Sequence, residues 1–174
     1  MTTANKLTLL RVILIPVFLI VLYWGFPGAS WVALVIFILA SLTDMLDGYI
    51  ARHYNQITNF GKFMDPLADK MLTMAAMCWF VQSGAMAGWV LAVVLLREFA
   101  VSGMRLVAVE QGRVIAAAWS GKVKTAATML CICAMLAFRF AWLDVLSQAV
   151  ILVTTVYSGV EYFVKNRDVF TGGV

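Results

Sequence analysis

Residues 44–69 read DMLDGYIARHYNQITNFGKFMDPLAD, and both the fold and the function can be worked out from this stretch. The protein has nine acidic residues, and four of them lie here, in a chain that is otherwise strongly apolar. Carboxylates gathered in apolar surroundings repel one another and are costly to desolvate, so they indicate a bound cation. Carboxylate oxygens are the ligands that hard divalent ions such as Mg²⁺, Mn²⁺ and Ca²⁺ prefer.

The spacing of these carboxylates places them on two helix faces. Asp44 and Asp47 are three residues apart, and Asp65 and Asp69 are four apart, so each pair shares one face of a helix. Two such helices in contact would create a cluster of four carboxylates, and no His or Cys cluster accompanies it to suggest zinc. Paired metals commonly serve phosphoryl transfer. The alternative, in which the aspartates are solvated helix-end charges paired with nearby cations, accounts poorly for four of them at helical spacings.

The composition predicts an all-α integral membrane protein with a single domain over residues 1–174. Of the 174 residues, 63% are hydrophobic, and the mean hydropathy is +0.93, above what soluble domains show. The three cysteines lie in apolar runs and suggest neither a disulfide nor a zinc site. Six segments are long enough to form a six-transmembrane-helix bundle if a few charges at one end are tolerated. They are Leu7–Trp24, Ala29–Arg52, Pro66–Ser83, Ala87–Glu110, Val114–Phe138 and Leu143–Val164.

The positive charges predict the orientation of this bundle. They concentrate near both termini and around the second and fourth connections, whereas the turns Gly25–Gly28 and Ser83–Gly88 carry no charge. The positive-inside rule therefore places both termini and the aspartates on the cytoplasmic side of a multi-pass protein of the cell membrane. The uncharged run Gly28–Thr43 is too short to span alone, so Asp44 and Asp47 are expected at or just inside the cytoplasmic boundary.

The complete pattern D-x-x-D-G-x-x-A-R-x8-G-x-x-x-D-x-x-x-D resembles the signature of the CDP-alcohol phosphotransferase family. The resemblance implies a six-helix membrane bundle, a homodimer, and a signature that extends across helices two and three. It implies that Asp44, Asp47 and Asp65 coordinate two divalent cations, Mg²⁺ or Mn²⁺, on the CDP diphosphate. Asp69 would be the general base and a further metal ligand. The residues that the resemblance assigns to CDP-lipid binding are Gly48, Ala51, Arg52, Gly61, Asn5 and Thr8.

A basic cluster in the second half of the chain indicates an anionic acceptor. Arg105, Arg113, Lys122 and Lys124 belong to the same cytoplasmic end as the aspartates. Arg and Lys are the usual partners of phosphate, although such residues also anchor helix ends in membranes. Glu98 precedes Arg105 by seven residues and shares its helix face, so it is expected to orient Arg105.

Three further segments, R-E-F-x-V-S-G-x-R, G-R-V and G-K-x-K-T, resemble one branch of the family, the phosphatidylglycerophosphate synthases, as does the opening from Asn5 to Arg11. That resemblance implies transfer of the phosphatidyl group from CDP-diacylglycerol to glycerol 3-phosphate, with Arg11 added to the acceptor-phosphate residues. Membrane lipids are the expected surroundings, and no nucleic-acid partner is expected. Two alternatives remain: the same chemistry with inositol phosphate or phosphatidylglycerol as acceptor, and a divalent-cation transporter. A transporter would place carboxylates near the bilayer midplane in paired repeats, which this sequence does not show.

Overall fold

The computed structural model is helical throughout the part of the chain that it describes, with six long helices and one short one. It describes the backbone of residues 3–53, 59–113, 115–116 and 118–171, and the side chains of 7–43, 64, 67–68, 70–113, 115–116 and 118–169. The helices are α1 (Thr3–Trp24), α2 (Ala29–His53), α3 (Asn59–Gln82), α4 (Gly88–Glu110), α5 (Trp119–Ala137), α6 (Ala141–Lys165) and α7 (Asp168–Thr171).

Two helix boundaries differ from the sequence prediction. α3 begins at Asn59, seven residues before Pro66, because its first two turns are too polar to register as part of a span. α5 begins at Trp119 instead of Val114: Ala118 has an extended backbone, and residues 115 and 116 are not helical. The reason is tertiary, because in the described part the backbone of α4 lies against α6, and α4 meets α5 through long side chains such as Glu98. Extended residues are needed to carry the chain across to α5.

The long helices form two groups. α1 packs on α2 and α3, whereas α4 and α5 pack on α6. The contacts of α2 with α5, and smaller ones of α3 with α4 and α5, join the two groups. We call α1–α3 the first half and α4–α6 the second half. Their shared core contains fully buried Phe18, Phe37 and Ile132, and alanines such as Ala33 and Ala40 without exposed surface let the helices approach closely.

The outer surface of the helices is apolar, unlike the surface of a water-soluble protein. Leu96 and Phe99 are each 72% exposed, and Leu130 is 71% exposed. Within the described residues, three helical segments are long and apolar enough to cross a membrane: Leu7–Trp24, Trp119–Ala137 and Ala141–Lys165. A fourth segment, Ala29–Thr43, is apolar but shorter. Large apolar side chains on the outside of helices of this length are typical of a membrane protein.

Most of the charged side chains lie at one end of the bundle, which we call the charged end. It is the end where α2 stops and α3 begins, because successive helices joined by short turns run antiparallel. α4 also ends there, in a turn closed by Gly112, whose φ of 72° suits glycine. The N–H of Gly112 donates to Val109 O and the N–H of Arg113 to Ala108 O, which is the Schellman arrangement.

Candidate functional site

The signature aspartates lie at matching depths in two helices that contact each other. Asp47 lies six residues before the end of α2, and Asp65 lies six residues after the beginning of α3. At 1.5 Å per residue, both are about 9 Å from the helix ends that face the connection, and Asp44 and Asp69 are about 14 Å away. The backbone therefore brings all four positions to the charged end.

The side chains of these aspartates lie outside the described residues. The same holds for five of the six residues expected to bind the CDP-lipid, namely Asn5, Gly48, Ala51, Arg52 and Gly61. Among the described side chains, no three acidic, His or Cys residues lie together. The predicted metal site rests on the four aspartates, whose carboxylate oxygens suit Mg²⁺ and Mn²⁺, and it stays a prediction.

Arg11 and Thr8 are buried between α1 and its neighbours. Arg11 has no exposed surface, and its Nε donates a hydrogen bond to the backbone oxygen of Ala40 at 3.3 Å. Ala40 precedes Asp44 by one turn of α2, so the guanidinium of Arg11 lies close to the aspartate-bearing part of that helix. Thr8, one turn earlier on the same face of α1, is 1% exposed. Both predictions, Thr8 for the CDP-lipid and Arg11 for the acceptor phosphate, remain predictions.

Glu98 is the centre of a charge cluster that we call the Glu98 cluster; it comprises Glu98, Lys70, Arg97 and Lys124. Glu98 Oε1 accepts hydrogen bonds from Lys124 Nζ at 2.7 Å and from Arg97 Nη1 at 2.9 Å. Glu98 Oε2 lies 3.5 Å from Lys70 Nζ, which also donates to Ser102 Oγ at 2.6 Å. Three cations around one carboxylate leave two positive charges in excess, in a cluster whose carboxylate is only 12% exposed.

Arg97 reaches this cluster by passing between α5 and α6. Its Cγ would lie 3.2 Å from a Cβ built at Gly159, and its Nη2 would lie 3.6 Å from one at Gly121. The two glycines therefore make room for a side chain that the sequence prediction did not include in the site. Among the described groups, the buried Nε of Arg97 and the buried hydroxyl of Thr128 have no hydrogen-bond partner.

Arg105 is oriented by a tyrosine, and the expected pairing with Glu98 is wrong. Arg105 Nε donates to the hydroxyl of Tyr162 at 3.0 Å, and its guanidinium carbon lies 5.5 Å from the centre of the tyrosine ring. Glu98 instead faces Arg97 and two lysines from other helices. Tyr162 is 2% exposed, so the ring is a rigid support. The terminal nitrogens of the guanidinium carry four further N–H donors.

The other predicted acceptor cations differ in their surroundings. Arg113 Nη1 donates to Asp168 Oδ2 at 2.6 Å, and this hydrogen bond lowers the pKa of the Asp168 carboxyl from its usual value. Both side chains of that pair are about half exposed. Lys122 is exposed, whereas Lys124, two residues later and on the opposite side of α5, is 5% exposed and bound to Glu98.

Comparisons with known proteins agree on one family for this chain. A family model described as CDP-alcohol phosphatidyltransferase matches residues 1–160. A relative from Bacillus subtilis, named CDP-diacylglycerol–glycerol-3-phosphate 3-phosphatidyltransferase, is 43% identical over 94% of both chains. A probable phosphatidylglycerophosphate synthase from Mycobacterium tuberculosis is 38% identical, with 98% of this chain and 84% of the relative covered. A Salmonella paratyphi A relative with the same name as the Bacillus protein is 39% identical over 92% of both chains.

Proposed function

This chain belongs to the CDP-alcohol phosphatidyltransferase family, and we propose that it transfers the phosphatidyl group from CDP-diacylglycerol to glycerol 3-phosphate. The products are phosphatidylglycerophosphate and CMP. One observation carries the proposal: the complete aspartate signature lies at matching depths of α2 and α3, at the end of the bundle where the acceptor-side cations gather. The names of the Bacillus subtilis and Salmonella relatives describe the same reaction.

On the donor side, the four aspartates would hold two divalent cations, Mg²⁺ or Mn²⁺. When bound, such ions neutralise the diphosphate oxygens and the charge of the departing CMP. The carboxylate of Asp69 takes the proton from the primary hydroxyl of glycerol 3-phosphate. The hydroxyl oxygen then forms a bond to the phosphorus that carries diacylglycerol, and the bond from that phosphorus to CMP breaks. The proposed CDP-lipid contacts are Gly48, Ala51, Arg52, Gly61, Asn5 and Thr8.

On the acceptor side, the exposed cations of the charged end support a phosphorylated alcohol. Arg105, Arg113 and Lys122 can each present N–H donors to phosphate oxygens. The burial of Lys124 and Arg11 favours a supporting role for both, because their donors are directed at Glu98 and at the backbone of α2. A neutral acceptor such as serine carries no phosphate that these cations could bind.

We further propose that all six long helices cross the cell membrane, with both termini and the active site on the cytoplasmic side. The asymmetry of the cations supports this orientation, since the charged end holds most of them. Membrane lipids would surround the exposed apolar side chains. The homodimer is a proposal from the family resemblance, and the mass of the protein in detergent micelles tests it.

CMP release by the purified protein tests the reaction. The protein is given CDP-diacylglycerol and Mg²⁺ or Mn²⁺, with glycerol 3-phosphate, inositol phosphate, serine or phosphatidylglycerol in parallel. Release that depends on glycerol 3-phosphate alone is the expected result. Release with a different acceptor would keep the chemistry and change the substrate, and no release with any acceptor would overturn the proposal in favour of cation transport.

Lys122→Ala is expected to raise the KM for glycerol 3-phosphate by about tenfold, since a hydrogen bond to a charged group contributes roughly 1.5–3 kcal/mol. The value of kcat should change little, because the reacting atoms are not touched. Lys165→Ala is the matched control: this lysine is also exposed at the charged end, and its partner is Glu161 on the same helix. An unchanged KM in Lys122→Ala would move the acceptor phosphate to other cations.

A further inference from the structure

The two halves of the bundle divide the proposed reaction between them. The first half carries the aspartate signature on α2 and α3, and the second half carries Arg105 and Lys122 on α4 and α5. The attacking hydroxyl and the phosphorus must approach to about 3–3.5 Å in a defined orientation, and a misplacement of 1 Å lowers the rate by about 10²-fold. The alignment of the halves at the charged end therefore matters for the rate.

The Glu98 cluster crosses between the halves at the depth of Asp69. Lys70 lies 11 residues after the beginning of α3 and Glu98 lies 12 residues before the end of α4, so both are about 17 Å from the charged ends of their helices. Lys70 belongs to α3 and directly follows Asp69, the proposed base. Its ammonium group contacts two groups of α4, Ser102 Oγ at 2.6 Å and Glu98 Oε2 at 3.5 Å. The other oxygen of Glu98 is held by Lys124 of α5 and by the neighbouring Arg97. One carboxylate thus joins α3, α4 and α5.

The packing of α3 makes this polar connection important. In the described part of the chain, α3 packs mainly on α1 and touches α2, α4 and α5 at fewer positions. The buried apolar side chains of α3 come from its later turns, with Leu72, Ala76 and Phe80, and Lys70 adds a polar contact with α4 directly beside Asp69. A residue of a helix moves with its neighbour, so fixing Lys70 also fixes the backbone of Asp69.

We propose that Glu98 and Lys70 are a positioning pair, which sets the distance between Asp69 and the acceptor site by fixing α3 against α4. This inference rests on the proposed function. A contribution to stability alone does not explain why Glu98 and Lys70 are paired, because buried ion pairs are often no more stabilising than apolar residues of the same size. Lys70 is also 38% exposed, so water could have solvated it without any contact with α4.

The test compares Lys70→Met with Lys70→Arg and with the control Lys165→Met, which loses a salt bridge formed within one helix at the charged end. Four quantities are measured on the full chain: the Kd for CDP-diacylglycerol without acceptor, the KM for glycerol 3-phosphate, kcat and the melting temperature. We expect kcat of Lys70→Met to fall by about 10–100-fold, the range for a small misalignment, while Kd and KM stay within about threefold. Lys70→Arg keeps a cation for Glu98 and should recover most of the rate.

Ser102→Ala provides a second variant that removes only one partner of Lys70, and we expect a smaller fall in kcat, about threefold to tenfold, at unchanged KM. A kcat of Lys70→Met equal to that of the control would overturn the positioning pair. So would an increase in Kd or KM at constant kcat, because Lys70 would then bind a ligand directly. If the wild-type protein is active, either of these results contradicts the positioning pair and leaves the proposed function standing. If the wild-type protein is inactive, the proposed function is overturned as well.

Discussion

Asp69→Asn is expected to lower turnover by about 10²–10⁴-fold, the usual contribution of a general base. Asn has nearly the same shape as Asp but cannot accept the proton of the attacking hydroxyl. CDP-diacylglycerol binding should largely survive, because Asp44, Asp47 and Asp65 would still hold the cations on the diphosphate. The measurement is kcat from CMP release, together with the Kd for CDP-diacylglycerol in the absence of acceptor.

Asp144→Asn is the matched control for that variant. Asp144 is in the first turn of α6, at the end of the bundle opposite the signature, and the same substitution there should leave both quantities unchanged. Loss of turnover together with loss of CDP-diacylglycerol binding in Asp69→Asn would contradict the assignment of a base. Asp69 would then be primarily a metal ligand, and the proton acceptor would have to be sought elsewhere.

The helices could largely be predicted from the sequence, because apolar runs of about 20 residues and glycine-rich turns are local features. The turns at Gly25–Gly28 and Ser83–Gly84 are confirmed. The start of α5 could not be predicted, since it depends on α4 packing against α6. The start of α3 was missed for a different reason: its first turns are polar and look like a connection, although the charged end can solvate them.

The helical placement of the signature residues could be predicted from spacing within one segment, and the backbone of α2 and α3 agrees with it, while their roles stay predictions. The candidate site was not predictable where it depends on which helix is the neighbour. The two-residue spacing of Lys122 and Lys124 shows that they lie on different sides of a helix, but only packing decides that Lys124 is buried. Glu98 had a plausible partner seven residues away in its own helix. Its actual partners include Lys124, 26 residues later.

Glu98→Gln is expected to destabilise the protein by about 3–5 kcal/mol, the loss observed when one partner of a buried ion pair is removed. The amide leaves Lys70, Arg97 and Lys124 close together without a counter-charge, and Lys124 is almost fully buried. The double variant Glu98→Gln with Lys124→Met removes one of those charges and replaces the buried lysine by an apolar side chain of similar length. Most of the lost stability should return.

Unfolding of the detergent-solubilised protein by heat or denaturant measures these changes, with Glu161→Gln as the control. Glu161 pairs with exposed Lys165 on the same helix, so its loss should change the unfolding free energy far less than the loss of Glu98 does. If Glu98→Gln is as stable as Glu161→Gln, the Glu98 cluster is not desolvated as proposed. The double variant separates the two roles of Glu98: recovered stability with kcat still low, at an unchanged KM for glycerol 3-phosphate, means that the carboxylate positions Lys70 as well as neutralising Lys124. If stability and kcat both recover, the carboxylate of Glu98 serves only to neutralise the buried charge of Lys124.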